Sequence, residues 1–256
     1  MKYIKIYLLF LIFLLANHST FSQINTEALR KIKPFNGIYH NVNLEFGLNK
    51  GNTDLFRVRT SYRVDVIDSN YRTYGIINYE NSRNNQKDVL NRGFLHLRIM
   101  NNFNSLIENE YFYQKEFNDF TRLLDRNVLG SNLRFNILNY SDSLLELRFS
   151  VANGLMFENE VINQSYIWKT YLLKSNNYLS LNLNYDKKIN FNTILYIQMA
   201  FVRILDRRIL NNTNVSFVIS KNLSFNLRLS MFYDKEPPPN IKNLDYEIVN
   251  GLNINF

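Results

Sequence analysis

Charged side chains in this chain recur at alternate positions, and the spacing decides what chemistry they can do. Arg57, Arg59, Arg63 and Asp65 share one parity, as do Glu108 and Glu110, Arg126 and Arg134, and Glu146 and Arg148; Arg98 belongs with His96 in the same way. Residues two apart on an extended strand lie on one face. A face that carries both arginine and carboxylate can build cross-strand ion pairs, which a buried charge requires. The same set arranged as a ring would instead select small ions, since charged rings are how pores discriminate. The leading reading is a set of pairs that fills an interior; the second is a narrow channel for small ions or solutes. Tandem carboxylates such as Glu108 and Glu110 also suit acid–base work. With Arg98 and Arg126 expected on the adjacent strands, they read instead as ion-pair partners.

Hydrolytic chemistry has little to work with. The chain holds three histidines: His18 lies in the leading segment, His40 falls on an apolar face and His96 on a charged one. A lipid hydrolase would need His40 paired with a serine on the same face of an adjacent strand, and Ser61 has the opposite parity. An enzyme is therefore not expected. There is no cysteine, which removes thiolate–metal ligation and cysteine nucleophiles. No zinc spacing or phosphate-binding loop occurs, so neither metal nor cofactor is expected.

The elements that position these charges read as strands. Ile38, Val42, Leu44, Phe46 and Leu48 alternate with Tyr39, Asn41, Asn43, Glu45 and Gly47; Phe56, Val58, Thr60, Tyr62, Val64 and Val66 alternate with Arg57, Arg59, Ser61, Arg63 and Asp65. Similar alternation continues to the last residue. Many runs reach ten residues, against about five or six in an ordinary soluble strand, and a membrane-crossing strand needs roughly 9–11. An antiparallel transmembrane β-barrel of about 12 strands is expected over 38–256, with apolar residues toward lipid and Arg57, Arg59, Arg63, Asp65, Arg98, Glu108, Glu110, Arg126, Arg134, Glu146 and Arg148 lining the lumen. A naive count that includes Tyr166 to Leu173 is odd. An even number is restored if that stretch belongs to a long outer loop, Glu158 to Asn177. Further long outer loops are expected at Asn81 to Asp88, Glu116 to Asp125 and Asp234 to Asn243, opposite short turns at Asp68-Ser69-Asn70, Asn101 to Asn104, Tyr140-Ser141-Asp142 and Lys221-Asn222.

The remaining signals concern location. Lys2 and Lys5, the apolar run Ile6 to Ala16 and the small-x-small site Thr20-Phe21-Ser22 read as a signal peptide over 1–22. A short periplasmic segment, 23–37, follows, with a helix only at Thr26 to Lys33. Aromatics make up 15% of the chain while its mean hydropathy is −0.26, which fits segments that are apolar on one side only. The formal charge of +8 falls to +6 once Lys2 and Lys5 leave with the signal. Such a balance suits anionic lipid head groups, and nucleic acid is not expected as a partner of an exported chain. Outer-membrane lipids and lipopolysaccharide are the expected surroundings. Lys50, Arg83, Lys87, Lys115, Arg207, Arg208, Lys235 and Lys242 are placed to meet lipopolysaccharide phosphates.

Gly51-Asn52-Thr53-Asp54, Asp125-Arg126 followed by Gly130, and Tyr233-Asp234-Lys235-Glu236-Pro237-Pro238-Pro239 with Asp245, Gly251 and the terminal Phe256 carry a resemblance. Together they resemble the domain of unknown function 481 family, described as salt-induced outer-membrane barrel proteins. The resemblance runs from about Ile38 to the end, and one departure stands out: Asn132 occupies a position where the family favours a second glycine. What it implies is an outer-membrane barrel with no established reaction; a structural or envelope-stress role in a Gram-negative cell is the expected function. Phe256, closing the alternating stretch Tyr246, Ile248, Leu252, Ile254, is expected to face outward, to signal to the barrel-assembly machinery, and to end a strand that pairs with the one near Ile38.

Overall fold

The computed structural model describes residues 36–254 apart from 51–53, 70, 85, 86, 165, 204, 205 and 221. The expected signal peptide, the helix at Thr26 to Lys33 and Phe256 lie outside the described residues. The described chain folds as twelve strands: β1 (Gly37–Asn49), β2 (Leu55–Ile67), β3 (Tyr71–Asn84), β4 (Lys87–Asn102), β5 (Ile107–Asn118), β6 (Leu123–Ser141), β7 (Leu145–Asn163), β8 (Ile167–Tyr185), β9 (Ile189–Ala200), β10 (Arg207–Ser220), β11 (Leu223–Asp234) and β12 (Leu244–Ile254). They form one sheet in sequence order, each antiparallel to its neighbours, as an up-and-down barrel meander requires. Among the described residues no ladder joins β12 to β1, so the expected closing pair is not seen there.

The sheet curls so that its charged face is inside. Arg63, Glu80, Arg98, Glu110, Arg126, Glu158 and Lys174 are buried, while Phe46, Leu129, Leu155, Phe157 and Leu173 are exposed. A soluble barrel has the reverse arrangement. Alternation enforces the inversion strand by strand: along β5, the even residues Glu108 to Asn118 are buried and the odd ones lie toward the outside. Because register pairs even with even across β5 and β6, Glu108 meets Arg134, Glu110 meets Asn132 and Glu116 meets Arg126 on a single face.

The strand number matches the expectation, but the reason differs. Tyr166 to Leu173 is no outer excursion. β8 runs unbroken from Ile167 to Tyr185, so the two candidate strands are one. Three of the expected long loops likewise shrink, to 85–86, 119–122 and 164–166, as strands continue into them. Only 235–243 keeps its length. β6, β7 and β8 have 19 residues each, well beyond the roughly 9–11 that a tilted crossing needs.

Two glycines permit the close approach of side chains inside. A Cβ at Gly130 would collide with the ring of Phe112, and one at Gly154 would collide with the Asn132 side chain and the Ser131 carbonyl. Gly154 is the cross-strand partner of Asn132. The space that a glycine at position 132 would have provided is thus supplied from the neighbouring strand.

Candidate functional site

Eight buried charges gather in a lattice at the loop-bearing end of the barrel. Glu116, Arg126 and Glu160 are cross-strand neighbours on β5, β6 and β7. Arg126 Nη1 lies 2.6 Å from Glu116, its Nη2 2.5 Å from Glu158 and its Nε 3.1 Å from Glu160. From the far wall, Arg208 on β10 reaches Glu160 at 2.7 Å and Glu158 at 3.0 Å, and is itself bound by Asp234 of β11 at 2.8 Å. Lys174 of β8 joins Glu158 at 2.6 Å to Asp206 at 3.0 Å. Opposite walls are therefore tied through charge-assisted hydrogen bonds, the strong class of such contacts. The lattice holds three cations (Arg126, Lys174 and Arg208) and five carboxylates (Glu116, Glu158, Glu160, Asp206 and Asp234), a formal charge of −2.

Below it the interior turns to amides, phenols and apolar groups. Glu110 accepts from the Tyr178 hydroxyl at 2.8 Å and from Asn132 at 3.3 Å, and pairs with Arg98 at 3.4 Å. Arg98 also donates to the Tyr196 hydroxyl at 3.3 Å across the lumen. Gln198, Asn176 and Asn132 form a chain of amide bonds, with Gln198 donating to Asn176 at 3.0 Å and Asn176 to Asn132 at 3.1 Å. Ala152, Tyr178, Ile194, Tyr196 and Leu210 pack as one apolar cluster and Phe112, Val128 and Met156 as another. Hydrogen-bonded polar networks of this kind rigidify what they occupy.

Two small cavities lie among these groups. A cavity of about 20 Å³ sits among Arg98, Phe112, Gln114, Tyr196 and Gln198, and a second of about 40 Å³ lies beneath Pro237 and Pro238, beside Glu160 and Asp234. The first has room for about one water. Arg126 lines both and stands between them.

The structure sorts the residues expected to line the lumen. Arg63, Asp65, Arg98, Glu108, Glu110, Arg126 and Arg134 are buried inside. Arg63 pairs with Asp65 at 2.5 Å, and Arg59 bridges Glu45 at 3.1 Å and Glu80 at 2.8 Å. Arg57 shares the inward parity but is exposed. Glu146 and Arg148 sit 3.9 Å apart, both half-exposed, toward the short-turn end of β7. Arg126 does not serve Glu108 or Glu110; it binds Glu116 and Glu158 higher up. Glu116, Glu158, Glu160, Lys174 and Asp234 were expected in loops, and Arg208 among outer cations. All six are instead buried lattice members. The signal that finds them is parity: Glu158 and Glu160 continue the even, inward set of Ala152 and Met156. His40 faces outward, with its Nδ1 2.8 Å from the Tyr62 hydroxyl, while Ser61 is on the other face of β2.

A family model described as "Protein of unknown function, DUF481" matches residues 42–256. No curated protein matches. Among solved structures, a chain titled "KdgM porin" is similar at 13% identity with a TM-score of 0.40, over 86% of this chain and 98% of that one.

Proposed function

The chain belongs to the DUF481 family of proteins of unknown function, a membership that leaves the activity open, and from the geometry we propose a closed outer-membrane β-barrel with a structural role in the envelope. The observation that carries this reading is the lattice of buried charges that crosses the interior. Buried charges tie β7 to β10 and β5 to β8 across the lumen, and the two cavities are about 20 and 40 Å³. An outward face of leucine, phenylalanine and tyrosine supports the membrane setting, since only hydrocarbon would favour exposing it while arginine is held inside. Barrels with more strands keep an aqueous channel, whereas small ones fill with side chains; here the side chains win.

Planar-bilayer recording of the purified, signal-free protein tests the proposal. It predicts no steady unitary conductance, alongside heat-modifiable gel mobility that reports a folded barrel. A steady ohmic pore in the heat-modifiable protein would overturn the closed reading, and a protein that stays soluble without detergent would overturn the barrel reading itself. A gated small-ion channel is the second reading. It is favoured by one observation: Arg126 alone among the lattice cations borders both cavities, so its displacement would join them.

A further inference from the structure

The outward face is nearly free of charge, and the exceptions are not scattered. Among strand residues whose side chains are described, register and alternation place outward charge at Arg83, Lys115, Asp125, Lys169 and Arg207. Each lies within three residues of the loop-bearing end of its strand. The other rim presents apolar groups instead, such as Leu138, Tyr185 and Phe217.

Between Lys115 and Lys169 the outward surface of β5 to β8 is ordered in tiers. The top tier holds Asp125 and Lys169, both level with Val161, and Lys115 reaches up to Asp125 at 2.8 Å. One step down, Asn127, Asn159 and Tyr171 are cross-strand neighbours, and the Tyr113 hydroxyl donates to Asn127 at 3.1 Å. The next step is Leu129, Phe157 and Leu173, all exposed. The long β6–β7–β8 strands make this possible, because they carry the outward face past its apolar belt.

Two lysines offset by one carboxylate, then amide and phenol, then hydrocarbon is the order of groups that matches a lipid built from phosphate, sugar and acyl chains. We infer that this face of β5 to β8 binds a phosphorylated glycolipid of the leaflet on the loop side. Lys169 and Lys115, the latter shared with Asp125, meet its phosphates, Asn159 and Tyr171 meet its sugar hydroxyls, and Leu129, Phe157 and Leu173 meet its acyl chains. A plain anionic phospholipid would use the first and last tiers and leave Asn159 and Tyr171 of the middle one unused, Asn127 being already held by Asp125, Tyr113 and Lys115. The inference rests on the membrane reading above.

The test uses full-length mature protein folded into phosphatidylcholine micelles or vesicles, with lipopolysaccharide as the probe and bound lipid read by native mass spectrometry. Neutralising two interfacial cations in Lys115→Gln/Lys169→Gln is expected to weaken retention by about 30-fold at low salt. Removing the phosphates from the glycolipid is expected to do the same, and Asn159→Leu to weaken lipopolysaccharide without weakening phosphatidylglycerol. Equal retention by the double variant, or of the dephosphorylated glycolipid, would overturn the site. Phosphatidylglycerol held as tightly as lipopolysaccharide would overturn the glycolipid assignment. Heat-modifiable mobility is measured on every sample; its loss in the unaltered protein would strike the barrel reading, whereas its persistence assigns any failure to the lipid site.

Discussion

Replacing Arg126 with alanine removes the one side chain that touches three carboxylates and borders both interior cavities. In the intact lattice it lies 2.6 Å from Glu116, 2.5 Å from Glu158 and 3.1 Å from Glu160, and its side chain is almost wholly shielded from water. Arg208 and Lys174 still reach Glu158, and Arg208 still reaches Glu160. Glu116 keeps the Gln114 amide, at 2.6 Å. The formal charge of the lattice moves from −2 to −3. Breaking a buried pair from one side costs about 3–5 kcal/mol, so the variant should unfold from vesicles at a markedly lower urea concentration. Joining the two cavities should also admit ions, with cations preferred by the enlarged negative charge. The assay is therefore double: urea unfolding followed by tryptophan fluorescence and heat-modifiable mobility, and single-channel recording with a salt gradient across the bilayer. Arg126→Ala/Glu116→Gln should recover part of the stability, because the carboxylate left without a cation has gone. Arg126→Lys keeps the charge but not the fork, and should fall between the parent and alanine. An Arg126→Ala protein with an unchanged urea midpoint and silent bilayers would refute both the energetic weight given to the lattice and the placement of Arg126 as the divider.

Gly154→Ala is expected to destabilise the barrel by about 1–3 kcal/mol, the cost of overpacking, because the new methyl group meets Asn132 and the Ser131 carbonyl; adding Asn132→Gly should return only part of the lost urea midpoint, since the backbone contact stays. In the β6–β7 turn, the Tyr140 hydroxyl foremost, and the backbone N–H groups of Leu144 and Leu145, hold the Asp142 carboxyl below its ordinary range. A depressed carboxyl stabilises the fold above its unfolded pKa of about 4 and ceases to as pH falls through the folded value. The gap in urea midpoint between the parent and Asp142→Ala should thus be constant at neutral pH and close in acid; a gap that widens in acid would contradict the sign.

Strands, their number and the inverted faces were legible because the middle of each strand lies between oil and a polar interior, where alternation is strict. Arg98, Glu110 and Arg134 were found on that basis. The outer lattice was not, because beyond the apolar belt both faces meet polar surroundings and the alternation dissolves: after Phe157 the chain reads Glu158-Asn159-Glu160, polar at every position, and looks like a loop. Burial nevertheless keeps the period, with Glu158 and Glu160 inside and Asn159 outside. Which carboxylate each arginine takes was beyond reach for a different reason. Arg126 and Arg208 meet over Glu158 and Glu160 from opposite walls, and curvature, not sequence spacing, brings them there. The fit of Asn132 against Gly154 depends likewise on a register that no single strand encodes.

Among the described residues every ladder joins strands adjacent in sequence, so the backbone can zip up one hairpin at a time, with little chain entropy spent on each closure. The interior contacts obey no such order: Arg98 and Tyr196 are 98 residues apart, and Glu110 and Tyr178 are 68 apart. A flat, fully paired sheet would satisfy its backbone yet present those arginines and glutamates to hydrocarbon, which charged groups resist strongly. Zipping therefore leaves the chain unfit to enter the bilayer until it bends. Curling and insertion become a single concerted passage, and the buried charges serve as its proofreading step, admitting to the membrane only sheets whose two halves have already met.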